Sequence, residues 1–262
     1  MNRSTGARLC ATAVVGAMSL ALLTGCSDSG SDDSKNTGSG GASENAKTYT
    51  KAELEKLIIA QGDVTGYKVE PLEKSAVVAK DDIKAEEKCL PLTYVMSGLA
   101  PGDAAAETNT GAMQEKKPSD TASKSLDDLT DGNAEDAMAD AMNVNYAVVG
   151  LSSYDGDGAE EVLKSVSDAV KDCAGGFSGT QDGETQKVNK VAEEKSSGTG
   201  DESVAFAVTG DMDGTEGTVH AEVVRHGNTL ATYYAVNLGA LVSGKSYVIP
   251  AEVVQAQATK LK

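Results

Sequence analysis

Residues 203–238 read "SVAFAVTGDMDGTEGTVHAEVVRHGNTLATYYAVNL", and the spacing of their apolar side chains decides the fold class. Val204, Phe206 and Val208 recur at every second residue, as do Val219, Ala221 and Val223, and then Leu230, Thr232, Tyr234, Val236 and Leu238. A period of two places alternate side chains on one face of a strand. Two breaks separate the runs. Gly227-Asn228 offers a two-residue hairpin loop, where positive φ costs little, and "GDMDGTEG" over 210–217 reads as a longer connection. The stretch predicts an antiparallel meander, with Val188 and Val191 hinting at a further strand before it.

Working outward, the period changes to that of helices. From Ala159 to Ala174 the residues Val162, Leu163, Val166, Ala169, Val170 and Cys173 share one helical face, and Gly175-Gly176 ends the run. The preceding "NVNYAVVGLSSY" (143–154) reads as a strand and "DGDG" (155–158) as a turn. In "IKAEEKCLPLTYVMSGLA" (83–100), Leu92, Val95, Met96 and Leu99 align on one face with Pro91 in a first turn, so a helix carries Cys89 at its start. Thr50-Lys51-Ala52-Glu53 is a capping box, followed by Leu54, Leu57 and Ile58, which predicts a helix from Lys51 to Gln61. "GDVTGYKVEPL" (62–72) reads as a turn and a short strand, and Pro250-Ala251-Glu252 opens a last helix that packs through Val253, Val254, Ala258 and Leu261. Between Pro101 and Met142 the periodic apolar signal nearly vanishes, which predicts a long mobile loop. The expectation is an α+β fold over residues 48–262: a single domain with a twisted antiparallel sheet (a meander) and helices packed on one face.

The N-terminal segment is of another kind. Arg3 and Arg8 precede an uncharged apolar run, Leu9 to Leu23, which is too short to span a bilayer and has the anatomy of an export signal over residues 1–25. The run ends at Leu23-Thr24-Gly25-Cys26, which resembles the lipobox of bacterial lipoproteins. That resemblance implies diacylglycerol on the Cys26 sulfur. Acyl burial contributes about 0.8 kcal/mol per CH₂, so two or three chains hold the protein on a membrane. Residues 27–47, "SDSGSDDSKNTGSGGASENAK", have too little apolar surface to offset ordering entropy and read as a flexible tether, about 25 Å end to end as a coil.

Composition and cysteine use bound the function. Without residues 1–25, which carry two arginines and no acid, the net charge falls from -17 to -19. Such a chain repels phosphate backbones, and basic pairs as short as Lys116-Lys117 do not make a nucleic-acid surface. Beyond Cys10 in the signal and the lipidated Cys26, only Cys89 and Cys173 remain. Outside the cytoplasm a lone pair of this kind forms a disulfide, and neither cysteine has a metal partner at ligand spacing.

Candidates for chemistry are few. His220, Glu222, Val224 and His226 share one parity, yet His220 and His226 lie about 20 Å apart along a strand and cannot hold one ion. Asp155 and Asp157 in "DGDGAEE", and Asp211 and Asp213 in "DMDGTEG", echo the opening of a calcium loop but lack its remaining ligands. Asp157 fits a helix cap, and Asp211 and Asp213 fit a hairpin. No G-x-S-x-G, H-E-x-x-H or Walker motif occurs, so neither catalysis nor a cofactor is implied.

The arrangement of "TKAELEKLIIAQGDVTGYKV", "SSYDGDGAEEVLKSVSDAVKDCAGGF" and "PAEVVQAQATKL" behind a lipobox and tether resembles uncharacterised lipoproteins of Streptomyces and related actinobacteria. A cysteine closing a helix, then strands and a last helix, is also similar to the extracellular sensor domain of mycobacterial serine/threonine kinases. These resemblances imply a non-catalytic envelope protein on the outer face of the cell membrane, anchored through the lipid on Cys26. It would act as a ligand-binding or sensing module, holding a small-molecule or lipid-like ligand, or an envelope protein, between sheet and helices. An envelope-acting hydrolase and a structural spacer are the alternatives.

Overall fold

The computed structural model describes residues 47–73, 78–116, 139–140, 142–181, 183–212 and 214–262. Cys26 and the expected signal and tether, apart from Lys47, lie outside them. Among the described residues five α-helices, α1 (Lys51–Leu57), α2 (Leu90–Met96), α3 (Gly158–Asp172), α4 (Leu238–Ser243) and α5 (Ala251–Lys260), accompany nine strands. The strands are β1 (Tyr67–Glu70), β2 (Ile83–Ala85), β3 (Ala106–Gln114), β4 (Asn145–Ser153), β5 (Phe177–Gln181), β6 (Glu184–Glu194), β7 (Glu202–Met212), β8 (Thr215–His226) and β9 (Thr229–Asn237). They form one open antiparallel sheet in the order β1-β3-β4-β9-β8-β7-β6-β5-β2. The α+β class and the meander, β5 to β9, are as the period of two predicts. The Gly227-Asn228 turn joins β8 to β9. The 210–217 connection is tighter than expected, because Met212 pairs directly with Thr215.

The helices divide between both faces of the sheet rather than covering one. On the first face, α3 buries Ala159, Leu163, Val166, Ala169 and Val170, and α2 buries Leu92 and Val95, against Phe206, Val208, Val219, Ala221, Val223 and Leu230. Each such Leu or Val contributes about 1.5–3 kcal/mol. On the second face, Leu54 of α1, Ile58, Ile59 and the α5 residues Val253 and Val254 pack on Ala147, Val149, Leu151, Val224, Ala231 and Tyr233. This second face is built from the other parity of the same strands. Its alanines, its tyrosine and the polar residues among them carry little hydropathic signal, so a period-two reading finds one face only.

Two further expectations need correction. β3 runs through the segment expected to be a mobile loop and pairs with β1 and β4. Its sequence, AETNTGAMQ, draws order from the flanking strands, from Ala112 in the second-face core, and from Asn109 and Thr110, which donate to the Gly98 and Glu70 carbonyls. Residues 117–138 and 141 of that segment lie outside the described residues. Helix α1 stops at Leu57 instead of reaching Gln61, because Ile58 turns to extended backbone. The Ile59 N–H then donates to Gln257 Oε1 at 2.9 Å, and the Leu57 carbonyl accepts from Gln257 Nε2 at 2.9 Å. Partners on α5 replace the next helical turn.

Candidate functional site

Between α2 and strands β5 to β9, the first face leaves a cavity of about 680 Å³. The period of two that builds the core also builds its floor, which comprises Val188, Val208, Val219 and Tyr234, and α2 supplies Thr93, Met96 and Ser97 as a wall. Val188, Met96 and Tyr234 are half-buried, so apolar surface reaches the opening. Gln181, Glu184, Lys187 and Asp211 stand on the rim. Ser97 Oγ lies 2.9 Å from the Thr93 carbonyl and 3.2 Å from Gln181 Oε1, so its proton meets acceptors that are not bases. Burial pushes the Tyr234 phenol up to about 12, which keeps it a neutral hydroxyl. An apolar floor beneath a polar rim, to which Thr185 and Gln186 also contribute, suits the holding of a ligand with both apolar and polar parts.

A disulfide joins the two helices of this face. Cys89, just before α2, and Cys173, just after α3, are bonded across 84 residues, and both sulfurs are buried in the first-face core. The bond ties the start of the cavity wall to the end of the longest helix.

The second face holds His220, Glu222 and His226, the residues of shared parity on β8. Glu222 is only 3% exposed. Its Oε1 accepts from the Ser197 N–H at 2.7 Å and the Ser197 hydroxyl at 2.8 Å, and burial holds its carboxyl above the usual range. The β6–β7 connection crosses the sheet to reach it, a tertiary event with no local sequence signal. His220 pairs with Glu194 through Nδ1 at 2.8 Å and meets the Tyr247 ring edge-on at 4.7 Å. His226 stands at the far end of β8, in line with the separation expected.

The acidic turns resolve into structural roles. Asp157 occupies the N-cap of α3, but its backbone carbonyl, not its carboxylate, accepts from Glu160 and Glu161. Asp155 turns the chain through its carbonyl, which accepts from the Gly158 N–H. Asp211 Oδ1 accepts from the Gly214 N–H at 2.6 Å, and Asp213 lies outside the described residues. Among the described residues, no three His, Cys, Asp or Glu side chains come together as a metal site. Nor, among them, is any helix long and apolar enough to cross a membrane.

Among solved structures the chain is similar to the extracellular domain of PknH from Mycobacterium tuberculosis, at 11% identity and a TM-score of 0.48, over 82% of this chain and 95% of that one. It is also similar to LpqN, involved in cell envelope biogenesis of Mycobacterium tuberculosis, at 14% identity and a TM-score of 0.22, over 72% and 84%. The first is a mycobacterial extracellular domain, the kind of relative that the cysteine-closed helix and last helix suggested. No family model matches the chain, and no curated protein matches it.

Proposed function

We propose that this protein is a lipid-anchored, extracytoplasmic module that binds a ligand without transforming it, in the cleft between α2 and the sheet. The observation that carries the reading is the cleft itself: about 680 Å³, floored by Val188, Val208, Val219 and Tyr234, with the Ser97 hydroxyl at the end of α2 engaged by the Thr93 carbonyl and Gln181 Oε1. The half-apolar lining favours a small-molecule or lipid-like ligand over a fully charged one. The membrane attachment rests on the Cys26 lipobox, and the buried Cys89–Cys173 bond supports an oxidising compartment.

Native mass spectrometry of the full chain purified from membranes tests the ligand. A non-covalent adduct is expected in the wild type and its loss in Val188→Trp, which fills the floor; a melting curve confirms that the variant is folded. Wild-type protein without an adduct, or an adduct that survives in V188W, overturns the reading. Intact mass tests the anchor separately. The diacylglycerol increment should sit on a chain beginning at Cys26, and an unmodified or differently cut N-terminus removes the membrane from the proposal.

A further inference from the structure

A second cavity, of about 710 Å³, lies on the opposite face of the sheet and at the opposite end of β8. Thr199 and Asp201 of the β6–β7 connection form one wall, Gln255, Ala258 and Thr259 of α5 the other, and His226 lies between them. The connection crosses the sheet as a strap pinned at two points. Ser197 is held by Glu222, and Asp201 donates its N–H to the Arg225 carbonyl at 2.8 Å while its Oδ2 accepts from the Gly227 N–H at 2.7 Å. Between the pins, Gly198 and Gly200 take φ of 74° and 71°. A Cβ on Gly200 would fall 3.2 Å from His226 Nε2 and 2.4 Å from the Arg225 carbonyl. Glycine lets the strap lie directly on the imidazole.

His226 Nε2, Thr229 Oγ1 and Tyr233 Oη are buried and have no hydrogen-bond partner among the described residues. Thr229 pairs with His226 and Tyr233 with Glu222 across β8 and β9, so all three sit in one row on this face. Buried polar atoms left unpaired cost about 1–3 kcal/mol each, a cost that a donor brought in by a ligand relieves. The imidazole is neutral near pH 7, because burial, opposed by Asp201, holds its pKa below the usual 6.5. Protonation at Nδ1 leaves Nε2 as a lone-pair acceptor. The charges nearby are the carboxylates of Asp201, Glu202 and Glu222, the Arg225 guanidinium 3.5 Å from Asp201 and 3.4 Å from Glu202, and Lys262 on the lining. The whole chain carries 40 acidic against 23 basic residues, which repels anions and draws in cations.

We infer that this second cleft binds a small organic ammonium ion, whose N–H groups donate to His226 Nε2 and to the Asp201 carboxylate once the Gly198–Gly200 span lifts off the imidazole. Recognition is by donors and positive charge together. It makes no use of the apolar cleft on the first face.

The chain has only two histidines, so proton NMR reads the site directly. In a titration of the full chain with 1,4-diaminobutane at fixed pH, the His226 Hε1 resonance should shift saturably while that of His220 stays put. Succinate and 1,4-butanediol at the same concentrations should move neither. His226→Gln should weaken binding about tenfold or more, the scale of a lost charge-assisted hydrogen bond. Thr259→Arg, on the exposed face of α5, should abolish binding through charge and bulk while leaving the core intact, which keeps the test open if H226Q fails to fold. Absence of a saturable His226 shift, an equal response to the diol, or undiminished binding by T259R overturns the inference.

Discussion

Gly176 shows what a single residue decides. The pair Gly175-Gly176 reads as a helix stop, but only the structure separates the two. Gly176 has φ of 88°, and a Cβ on it would lie 2.4 Å from the Val188 carbonyl oxygen, whereas Gly175 has open space around that position. Gly176→Ala should therefore cost about 3 kcal/mol or more in urea unfolding, through positive φ and the clash with β6 together, and Gly175→Ala far less. Equal losses would refute this account. At Glu53 the capping box is legible and its electrostatics follow. The carboxylate accepts from Lys47 Nζ at 2.5 Å, from the Thr50 N–H at 2.9 Å and from the Thr50 hydroxyl at 2.8 Å, which together lower its pKa from 4.5 to about 2. A lowered carboxylate adds stability above its unfolded pKa and loses it as pH falls through the folded one. The Thr50 amide resonance of the folded protein should thus titrate with a midpoint near the lowered value of about 2, and a midpoint at 4.5 would mean the cap is open.

At the scale of elements, the strong periods were readable and the weak ones were not. α3, with five buried side chains at helical spacing, and β7 to β9 follow the expected pattern closely. β3 did not announce itself, because Thr, Asn and Gly in a strand flanked on both sides leave no alternation to detect. The end of α1 is likewise a matter of partners. Gln257, fully buried on α5, caps the Leu57 carbonyl and the Ile59 N–H with its two amide atoms. Gln257→Leu keeps the volume but strands both backbone groups. The expected loss is about 2–4 kcal/mol, read as a lower urea midpoint at unchanged slope. A change within experimental error would show that water replaces the amide without cost.

For the whole molecule, the 84-residue span between Cys89 and Cys173 makes the disulfide the largest single constraint on the unfolded chain. In the chain-entropy model its removal should cost about 4–5 kcal/mol. The double variant Cys89→Ala and Cys173→Ala should melt well below the wild type, and adding dithiothreitol to the wild type should approach the same curve. If the variant matches the oxidised protein, the bond closes a loop that the cores already hold. The α2 wall of the first cleft depends on this bond, so ligand retention in native mass spectra should fall with it.

The sequence by itself determined what is local and covalent: the spacing of Val, Phe and Leu along β7 to β9, the helical faces of α2 and α3, and the two cysteines left to pair in the domain. These follow from chain geometry, since alternation and the 3.6-residue turn are written in neighbouring residues. Tertiary structure alone decided that helices cover both faces, that Glu222 and His226 lie beneath a strap from another hairpin, and that two clefts open on opposite faces of the sheet. Each of these depends on residues far apart in the chain meeting across the sheet. The burial that makes an alanine or a glutamate part of a core belongs to the packed neighbours and not to the residue.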